Sequence, residues 1–451
     1  MNLCHLQFST LICFLSLFPF TAKGDIVQIE VDGRKLTGRI FPKDFLGVYQ
    51  TPLYPLDTIL KSIPLLKELG IKNIRYELGW GKPDAIGWQA ISGSLARLKC
   101  DFSFLNPLLK SLRENGVQPL FAITYCPKPL QVREGWEAWK DPPSSLKAWS
   151  YICYKFAEYV KSFQLKPIYE IWNEPDLGHN DWKDFFYGDP ETYRDVYKEA
   201  VKGILKADES AIVGGAGVAW NQAYNQAILR SGERVDFISV HAYGPEALQR
   251  HIDWAMGVLA QEGKQLPIFL TEYSSFQEFG LHSPVSRYPA ASAFFRDLQV
   301  MLAYYPRLRK IYWAQWVDDA LGLLTKDLHR KAIYNAIYIY QRLLPQKECS
   351  AEVKGEGIGV LAGRDERTIG IVVWNEKEER KRVQVRLENC QSQEGKLLVY
   401  RIDANHSSFL DNSASEKLEP TEEKVVKVRS IVWEGEIQPL GVLLLQMNFN
   451  R

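Results

Sequence analysis

The sequence predicts an α/β fold: a (β/α)8 TIM barrel with an accessory all-β sandwich domain. Between residues 45 and 343, short apolar runs alternate with longer segments of helical period, the pattern of βα units on a parallel sheet. Eight such runs fall within about 300 residues, the size of a closed barrel. After Leu344-Pro345 the runs follow a period of two and polar turns separate them, which indicates a sandwich. The first run leads into Tyr49-Gln50-Thr51-Pro52, whereas a doubly wound open sheet would need a Gly-rich turn there.

The eight predicted barrel strands are rich in β-branched and aromatic side chains. They are FLGVYQ (45–50), IKNIRYEL (71–78), VQPLFAITY (117–125), PIYEIWNE (167–174), AIVGGAGV (211–218), VDFISVHAY (235–243), LPIFLTEY (266–273) and RKIYWAQWV (309–317). Predicted helices between and after them include 56–69, 144–163, 193–207, 246–262, 289–304 and 329–343. Since all strands of a parallel barrel end at one rim, side chains at their carboxyl ends are expected to meet there.

The N-terminal residues indicate export. An apolar run at 6–20 is followed by Ala22-Lys23-Gly24, which fits a signal peptide over residues 1–24 with cleavage before Asp25. Met1 to Gln7 contain no Lys or Arg, so an uncleaved N-terminal anchor is the alternative. We therefore expect a secreted or periplasmic protein.

Three further segments complete the predicted domain organisation. Residues 25–41 are expected to form a β-hairpin around Asp32-Gly33 that joins the sandwich, and residues 42–345 form the barrel. Residues 346–451 form the sandwich itself, with strands such as Thr368–Trp374, Arg382–Leu387 and Val442–Met447.

Composition excludes several classes of function. Lys plus Arg (55) nearly balance Asp plus Glu (54), so no electrostatic field favours nucleic acid or an anionic membrane surface. Outside the predicted signal peptide the cysteines are odd in number, widely spaced and without a CxxC pair, which argues against a disulfide scaffold or a zinc site. They are Cys100, Cys126, Cys153, Cys349 and Cys390. Neither a metal nor a cofactor is expected.

Two glutamates end predicted barrel strands in similar surroundings. Glu174 ends the fourth strand in the stretch PIYEIWNEPD (167–176), where Pro175 stops the strand. Glu272 ends the seventh strand in LTEYS. A lone Glu-Pro at a strand end is more often a solvated acid, but in a closed barrel these two carboxylates would face each other at one rim. Paired carboxylates at such a rim suit cleavage of a glycosidic bond, which needs one acid and one nucleophile or base and no metal.

The motifs carrying these glutamates resemble a known family. IWNEP at the fourth strand with TEY at the seventh resembles the large clan of (β/α)8 retaining glycoside hydrolases. DFISVHAY (236–243), LTEYSS (270–275) and GLLT (322–325) are most similar to glycoside hydrolase family 39, the β-xylosidase and α-iduronidase family. The resemblance covers residues 25–451 in architecture and is specific in these motifs.

The resemblance implies roles for individual residues. Glu174 would be the general acid/base and Glu272 the nucleophile, while Asn173 would bind the substrate 2-hydroxyl. Arg75 would pair with the nucleophile and keep it ionised, and an unpaired arginine is costly to bury on a barrel strand. Residues implied to line the site are Tyr243, which would donate to Glu272, His241, and Trp313 or Trp316 as the floor of the first sugar subsite. His241 could equally be a core histidine, and either tryptophan could be simple packing.

Other acids near strand ends compete for these roles. Glu170 shares the strand face of Glu174 but lies deeper, and Asp318 with Asp319 could bind sugar hydroxyls. Glu77 and Asp176 are the remaining candidates.

These observations predict an exported retaining glycoside hydrolase acting on an oligo- or polysaccharide. Two alternatives are a non-catalytic carbohydrate-binding protein on the same scaffold and a transglycosylase that remodels an extracellular polysaccharide. A pure binding protein has no need of both glutamates, whereas transglycosylation would use the same residues. Loops such as 79–101 and 126–143 are expected to set the sugar specificity.

Overall fold

The computed structural model describes residues 26–177, 185–390, 394–426 and 430–449. The predicted signal peptide over 1–24 lies outside these residues. In the ranges that are described, no helix combines the length and the apolarity that a bilayer crossing requires.

Strands occur in two large sheets and one hairpin. In chain order the described strands are β1 (Val27–Ile40), β2 (Leu46–Gln50), β3 (Asn73–Glu77), β4 (Ile91–Ser94), β5 (Arg97–Cys100), β6 (Gln118–Ile123), β7 (Ile168–Ile171), β8 (Ile212–Val218), β9 (Phe237–Tyr243), β10 (Ile268–Ser274), β11 (Leu308–Ala314), β12 (Lys347–Lys354), β13 (Ile358–Arg364), β14 (Thr368–Asn375), β15 (Lys381–Glu388), β16 (Gly395–Ile402), β17 (Pro420–Val426), β18 (Ile431–Ile437) and β19 (Val442–Phe449).

Eight parallel strands close into a barrel in the order β2-β3-β6-β7-β8-β9-β10-β11. Every strand predicted for the barrel lies in it, so the predicted (β/α)8 architecture is confirmed. The described helices are α1 (Leu56–Leu69), α2 (Asn106–Glu114), α3 (Leu146–Ser162), α4 (Pro190–Ala207), α5 (Ala223–Leu229), α6 (Pro245–Gln261), α7 (Pro289–Tyr304) and α8 (Ala332–Tyr338), with a π-helical turn at Ile339–Leu343.

The alternation of side chains along each strand divides the barrel into an inner and an outer layer. The bottom of the interior is apolar, and there the rings of Phe237 and Phe269 stack 4.1 Å apart. Ile74 and Tyr76 on β3 face the helices, so their neighbour Arg75 faces the interior. The interior therefore changes from apolar to charged towards the carboxyl ends of the strands.

The second large sheet has nine strands in the order β17-β16-β19-β14-β13-β12-β1-β15-β18. Alternate apolar residues of its two halves pack against each other around one core, including Ile29 on β1 and Leu445 on β19. A sheet folded over itself in this way is the predicted sandwich.

The N-terminal segment corrects one prediction. Val27–Ile40 is a single long strand that pairs antiparallel with β12 and parallel with β15, instead of the predicted hairpin around Asp32-Gly33. Asp32 accepts hydrogen bonds from the backbone nitrogens of Arg34 and Lys35 at the point where the register with β12 shifts. These bonds hold the extra residues as a bulge, after which pairing with β12 resumes.

Candidate active site

Residues from four barrel strands meet at the carboxyl end of the barrel. Arg75 extends from β3, Glu170 from β7, and His241 with Tyr243 from β9, while Glu272 extends from β10. Asn173 and Glu174 follow β7 directly. Hydrogen bonds connect Glu170, Asn173, Tyr243 and Glu272 through Arg75 and Glu272, and a separate bond joins His241 to Glu174. His241 Nδ1 also lies 3.7 Å from Glu272 Oε2, which brings all seven residues into one largely buried cluster.

A change of backbone direction brings Glu174 into this cluster. β7 ends at Ile171, and Trp172 (φ 73°) and Glu174 (φ 47°) both adopt the left-handed conformation, which is uncommon for residues with a side chain. Trp172 then packs outside the barrel against Phe186, with ring centroids 5.0 Å apart. The backbone nitrogen of Glu174 donates to Gly217 O over 3.1 Å, which fixes the segment to β8. Strain of this kind is typical of functional sites.

A β-bulge in β10 points Glu272 inward. Leu270 pairs with Val240 on β9, but Glu272 pairs with the very next residue, His241, so Thr271 is an extra residue. Strict alternation from Phe269, which faces the interior, would have pointed Glu272 towards the helices. The bulge restores the inward direction for Glu272, as bulges next to functional sites commonly do.

Arg75 is fully buried and binds three site residues at once. Its Nε atom donates to Glu170 Oε2 over 2.6 Å, Nη1 donates to Glu272 Oε1 over 2.8 Å, and Nη2 donates to Asn173 Oδ1 over 2.7 Å. The guanidinium also lies over the Tyr49 ring, 4.6 Å from its centroid. Because it neutralises charge on two carboxylates in a buried site, it makes their proximity tolerable.

Glu174 is held in its protonated form near neutral pH. Burial, followed by the negative charge of Asp176, raises the pKa of Glu174 to about 8. Its Oε1 atom lies 2.8 Å from His241 Nδ1. Burial also lowers the pKa of His241, so the imidazole is neutral when it contacts this carboxyl group.

Glu272 has surroundings that favour its ionised form more strongly. Burial raises the pKa of Glu272 above its ordinary value, while the positive charge of Arg75 opposes that rise. Tyr243 donates its hydroxyl to Glu272 Oε2 over 2.6 Å, which also stabilises the carboxylate. One oxygen of Glu174, one oxygen of Glu272 and a His241 nitrogen all lie within 4.8 Å of one another.

This trio is the arrangement most suited to a metal ion among the described residues, since two carboxylates and an imidazole are common ligands. Both oxygens of Glu272 already accept hydrogen bonds, from Arg75 and Tyr243. A bound cation would have to compete with those two donors.

A supporting layer of tyrosines, which was not among the predicted site residues, contacts the site. Tyr125, just after β6, accepts a hydrogen bond from Asn173 Nδ2 over 3.3 Å, and Tyr49 on β2 donates to Glu77 over 2.6 Å. Tyr125 is the last residue of one predicted strand and Tyr49 the last but one of another, so their position near the carboxyl rim could have identified them. The bond from Tyr49 gives Glu77 a supporting role, since Glu77 does not line the cleft described below.

An aromatic cleft of about 580 Å³ opens above the two glutamates. Its walls come from the loops after β3, β6, β7, β8 and β10 and from the end of β9. Its aromatic members are Trp136, Trp139, Phe185, Tyr243 and Phe279. Lys82 lies in the same wall, with its ammonium 4.8 Å from the Trp139 ring centroid. Aromatic walls with a few polar groups suit the apolar faces and hydroxyls of sugars.

Three predicted site residues lie elsewhere. Trp313 faces the helices, because Tyr312 and Ala314 take the inward positions of β11, and its indole donates to Leu321 O. Trp316 is buried against α1, where its Nε1 donates to Ser62 Oγ over 2.7 Å. Asp318 accepts from the backbone nitrogens of Ala320 and Leu321 and therefore caps a turn. The two indoles therefore do not face the interior of the barrel, and the sugar-hydroxyl contact of Asp318 stays a prediction.

Asp176 and Asp319 also have structural partners. Asp176 accepts from three successive backbone nitrogens, those of Ala219, Trp220 and Asn221, over 2.7 to 2.9 Å. It thereby fixes the loop after β8 to the segment that carries Glu174. Asp319 accepts from the backbone nitrogen of Lys326. All five cysteines of the described ranges are free thiols.

Comparison with known proteins agrees with this architecture. The family model described as glycosyl hydrolases family 39 matches residues 56–378. A β-xylosidase of Caldicellulosiruptor saccharolyticus is 27% identical over 389 residues, covering 74% of this chain and 76% of that protein.

Solved structures share the fold over nearly the whole chain. The GH39 enzyme from Xanthomonas axonopodis pv. citri superposes with a TM-score of 0.76 at 16% identity, covering 93% of this chain and 97% of that one. A monomeric β-xylosidase from Caulobacter crescentus CB15 gives a TM-score of 0.74 at 18% identity, with coverage of 93% and 99%. The resemblance noted from the motifs is thereby confirmed.

Proposed function

Because the chain belongs to glycosyl hydrolases family 39 and is thus a glycoside hydrolase, we propose that it cleaves its substrate with retention of anomeric configuration. Glu174 is the general acid/base and Glu272 the nucleophile. The substrate is an oligo- or polysaccharide, and the predicted signal peptide supports export of the enzyme.

The observation that carries this proposal is the pair of unlike carboxyl groups. Retaining enzymes hold their two carboxyl groups about 5–5.5 Å apart, whereas inverting enzymes leave roughly 6.5–9.5 Å for a water molecule. An oxygen of Glu174 within 4.8 Å of one of Glu272 supports the first class. The raised pKa of Glu174, about 8, suits an acid, and the contacts of Glu272 with Arg75 and Tyr243 suit a nucleophile.

In the first step the Glu174 carboxyl group donates its proton to the glycosidic oxygen. The bond between that oxygen and the anomeric carbon breaks, and its electron pair stays on the leaving sugar. The Glu272 carboxylate forms an ester bond to the anomeric carbon. Asn173, whose oxygen is bound by Arg75, offers its amide to the 2-hydroxyl of the sugar.

In the second step a water molecule attacks the anomeric carbon. Glu174, now ionised, takes a proton from that water, and the ester electrons return to Glu272. Once Glu272 is esterified it carries no charge, so the proton affinity of Glu174 falls and it can act as a base. A second inversion at the same carbon restores the original configuration.

The relative named β-xylosidase supports a β-xyloside as the first substrate to test. Xylobiose and an aryl β-xyloside should both be used, because the sugar that leaves xylobiose needs a proton from the enzyme whereas an aryl group of low pKa does not. Products formed with and without added acceptor sugars measure how much flux goes to transglycosylation.

Substitution of each glutamate separates their roles. Glu272→Ala should lose turnover of every substrate by more than about a thousand-fold. Glu174→Ala should still form the ester from an aryl glycoside whose leaving group has a low pKa, giving a burst and then a slow steady state. Azide needs no general base, so it should accelerate that second step and yield a glycosyl azide of retained configuration.

Two results would contradict the assignments. Azide rescue of Glu272→Ala with an inverted product would exchange the roles of the two glutamates. An inverted first product from the wild-type enzyme, seen by proton NMR, would exclude the double displacement. Asp319→Asn, which changes an acid in a loop outside the cleft, is the matched control and should keep wild-type kinetics.

A further inference from the structure

A second aromatic groove lies on the outer surface beside the catalytic rim. It has a volume of about 380 Å³ and lies between the loop after β8 and the middle of α6. Trp220 and Trp254 line it and are 53% and 43% exposed. Large aromatic side chains are rarely left this accessible, and two in one groove indicate a binding surface.

The polar groups of the groove fit the hydroxyls of a sugar. Gln222 Oε1 accepts from Asn225 Nδ2 over 3.0 Å, which fixes the orientation of the Gln222 amide. Its Nε2 atom is buried and finds no hydrogen-bond partner among the residues that the structure describes. Asp253 also lines the groove and accepts from Tyr304. A buried donor without an acceptor is costly unless a ligand supplies one.

The groove has open space at its base. A Cβ atom built at Gly257 on α6 meets no described atom within 4 Å. His251 stacks on Trp254, with centroids 5.1 Å apart and planes 15° apart, so the indole is held in place. An indole fixed next to open space can stack on the apolar face of a sugar ring without losing much side-chain entropy.

The groove lies next to the catalytic cleft on the side of the acid, because consecutive residues line the two. Ala219 lines the cleft, and its neighbour Trp220 lines the groove. Both backbone nitrogens bind Asp176, two residues after Glu174. Glu174 protonates the leaving sugar in the function proposed above, so the leaving group must lie next to it.

We propose that the groove between Trp220 and Trp254 is a distal subsite for the leaving-group end of a carbohydrate chain. This inference rests on the proposed function, because the role of Glu174 as the acid identifies the leaving-group side of the cleft. It also implies that the natural substrate is a chain of several sugars. Trp220 and Trp254 stack on sugar faces, and the Asp253 carboxylate binds hydroxyls. The occupant is a carbohydrate and not a second copy of this chain, because the segment Ala219–Trp220 lines both the substrate cleft and the groove and is bound to Asp176, two residues after Glu174.

Kinetics on a length series tests the subsite. The ratio of kcat/KM for xylohexaose to kcat/KM for an aryl β-xyloside should fall about ten-fold in Trp254→Ala. Gly257→Gln should lower it similarly, because the new side chain fills the groove and leaves both indoles present. Tyr151→Ala removes an exposed aromatic residue on α3 and should keep the wild-type ratio. An unchanged ratio in both groove variants would overturn the proposal.

Binding without turnover separates this inference from the catalytic proposal. Native gels containing xylan, β-glucan or a glucuronate-containing polymer would be run with the full chain carrying Glu272→Ala. At least one polymer should retard it, and adding Trp254→Ala should weaken that retardation at least three-fold. Equal retardation with and without Trp254→Ala, or none with any polymer, would overturn the subsite whatever the catalytic result. A dimer that Trp254→Ala converts to monomers would assign the groove to a second copy.

Discussion

At the scale of single residues, the site depends on how charge is distributed around Arg75. Its guanidinium binds Glu170 and Glu272 directly but leaves Glu174 to the neutral His241. Glu174 is therefore the carboxyl group that feels burial and the nearby charge of Asp176 with least compensation. Two identical side chains in one site thus have different electrostatic surroundings, as the acid and nucleophile roles proposed for them require.

This difference predicts the pH dependence of the first step. Glu174 must be protonated, so kcat/KM on a glycoside with a poor leaving group should fall as pH rises through about 8. On the acid side it should fall as Glu272, whose pKa burial raises, becomes protonated. Glu174→Gln should lose the alkaline limb when measured with an aryl glycoside of low leaving-group pKa. If kcat/KM of this variant still fell near pH 8, the alkaline fall would belong to a group other than Glu174.

Asp176 offers a second test of the same electrostatics. Asp176→Asn removes the charge that raises the pKa of Glu174, so the alkaline limb of kcat/KM should move to lower pH. An amide nitrogen would also face backbone N–H donors, which should lower kcat/KM several-fold. If kcat/KM fell but its alkaline decrease stayed at the same pH, Asp176 would act only by positioning the loop after β8. Asp319→Asn is again the control.

At the scale of elements, most of the barrel could be predicted because its strands are continuous apolar runs. What periodicity could not give was the direction of side chains near the rim. Trp313 was expected in the site, but Tyr312 and Ala314 take the inward positions of its strand. Glu272 faces inward only because Thr271 is an extra residue, and no feature of LTEYS signals that bulge. Motif resemblance succeeded there because it does not depend on strand phase.

The bulge leads to a prediction at Thr271. Its Oγ1 atom is buried without a hydrogen-bond partner in the described part of the chain, so Thr271→Val should keep activity and raise stability by about 1 kcal/mol. Deletion of Thr271 should turn Glu272 towards the helices and abolish turnover. Thermal unfolding and kcat/KM measure the two effects. A destabilised or inactive Thr271→Val would show that the hydroxyl has a partner in solution.

At the scale of the whole molecule, the folded sheet and the barrel share apolar contacts. Phe295 on α7 stacks on Trp374 of β14, with centroids 5.9 Å apart, and Trp374 is fully buried. Gln446 on β19 donates to Leu343 O at the end of the last barrel helix. β1 is a further connection between the two parts, because the chain forms this strand of the sheet before it enters the barrel. Such an interface should make the two parts unfold together.

Trp374→Ala tests that coupling. Removing a buried indole typically costs about 3–5 kcal/mol, from lost burial and from the cavity that remains. If the parts unfold together, loss of glycosidase activity and loss of sheet structure should move to lower temperature by the same amount. Val432→Ala, at an exposed position on β18, should change neither. The sheet would be an independent unit if Trp374→Ala lost activity at the wild-type temperature while amide exchange showed its sheet opening at a lower temperature. Coincident transitions would mean that the sheet stabilises the barrel that carries Glu174 and Glu272.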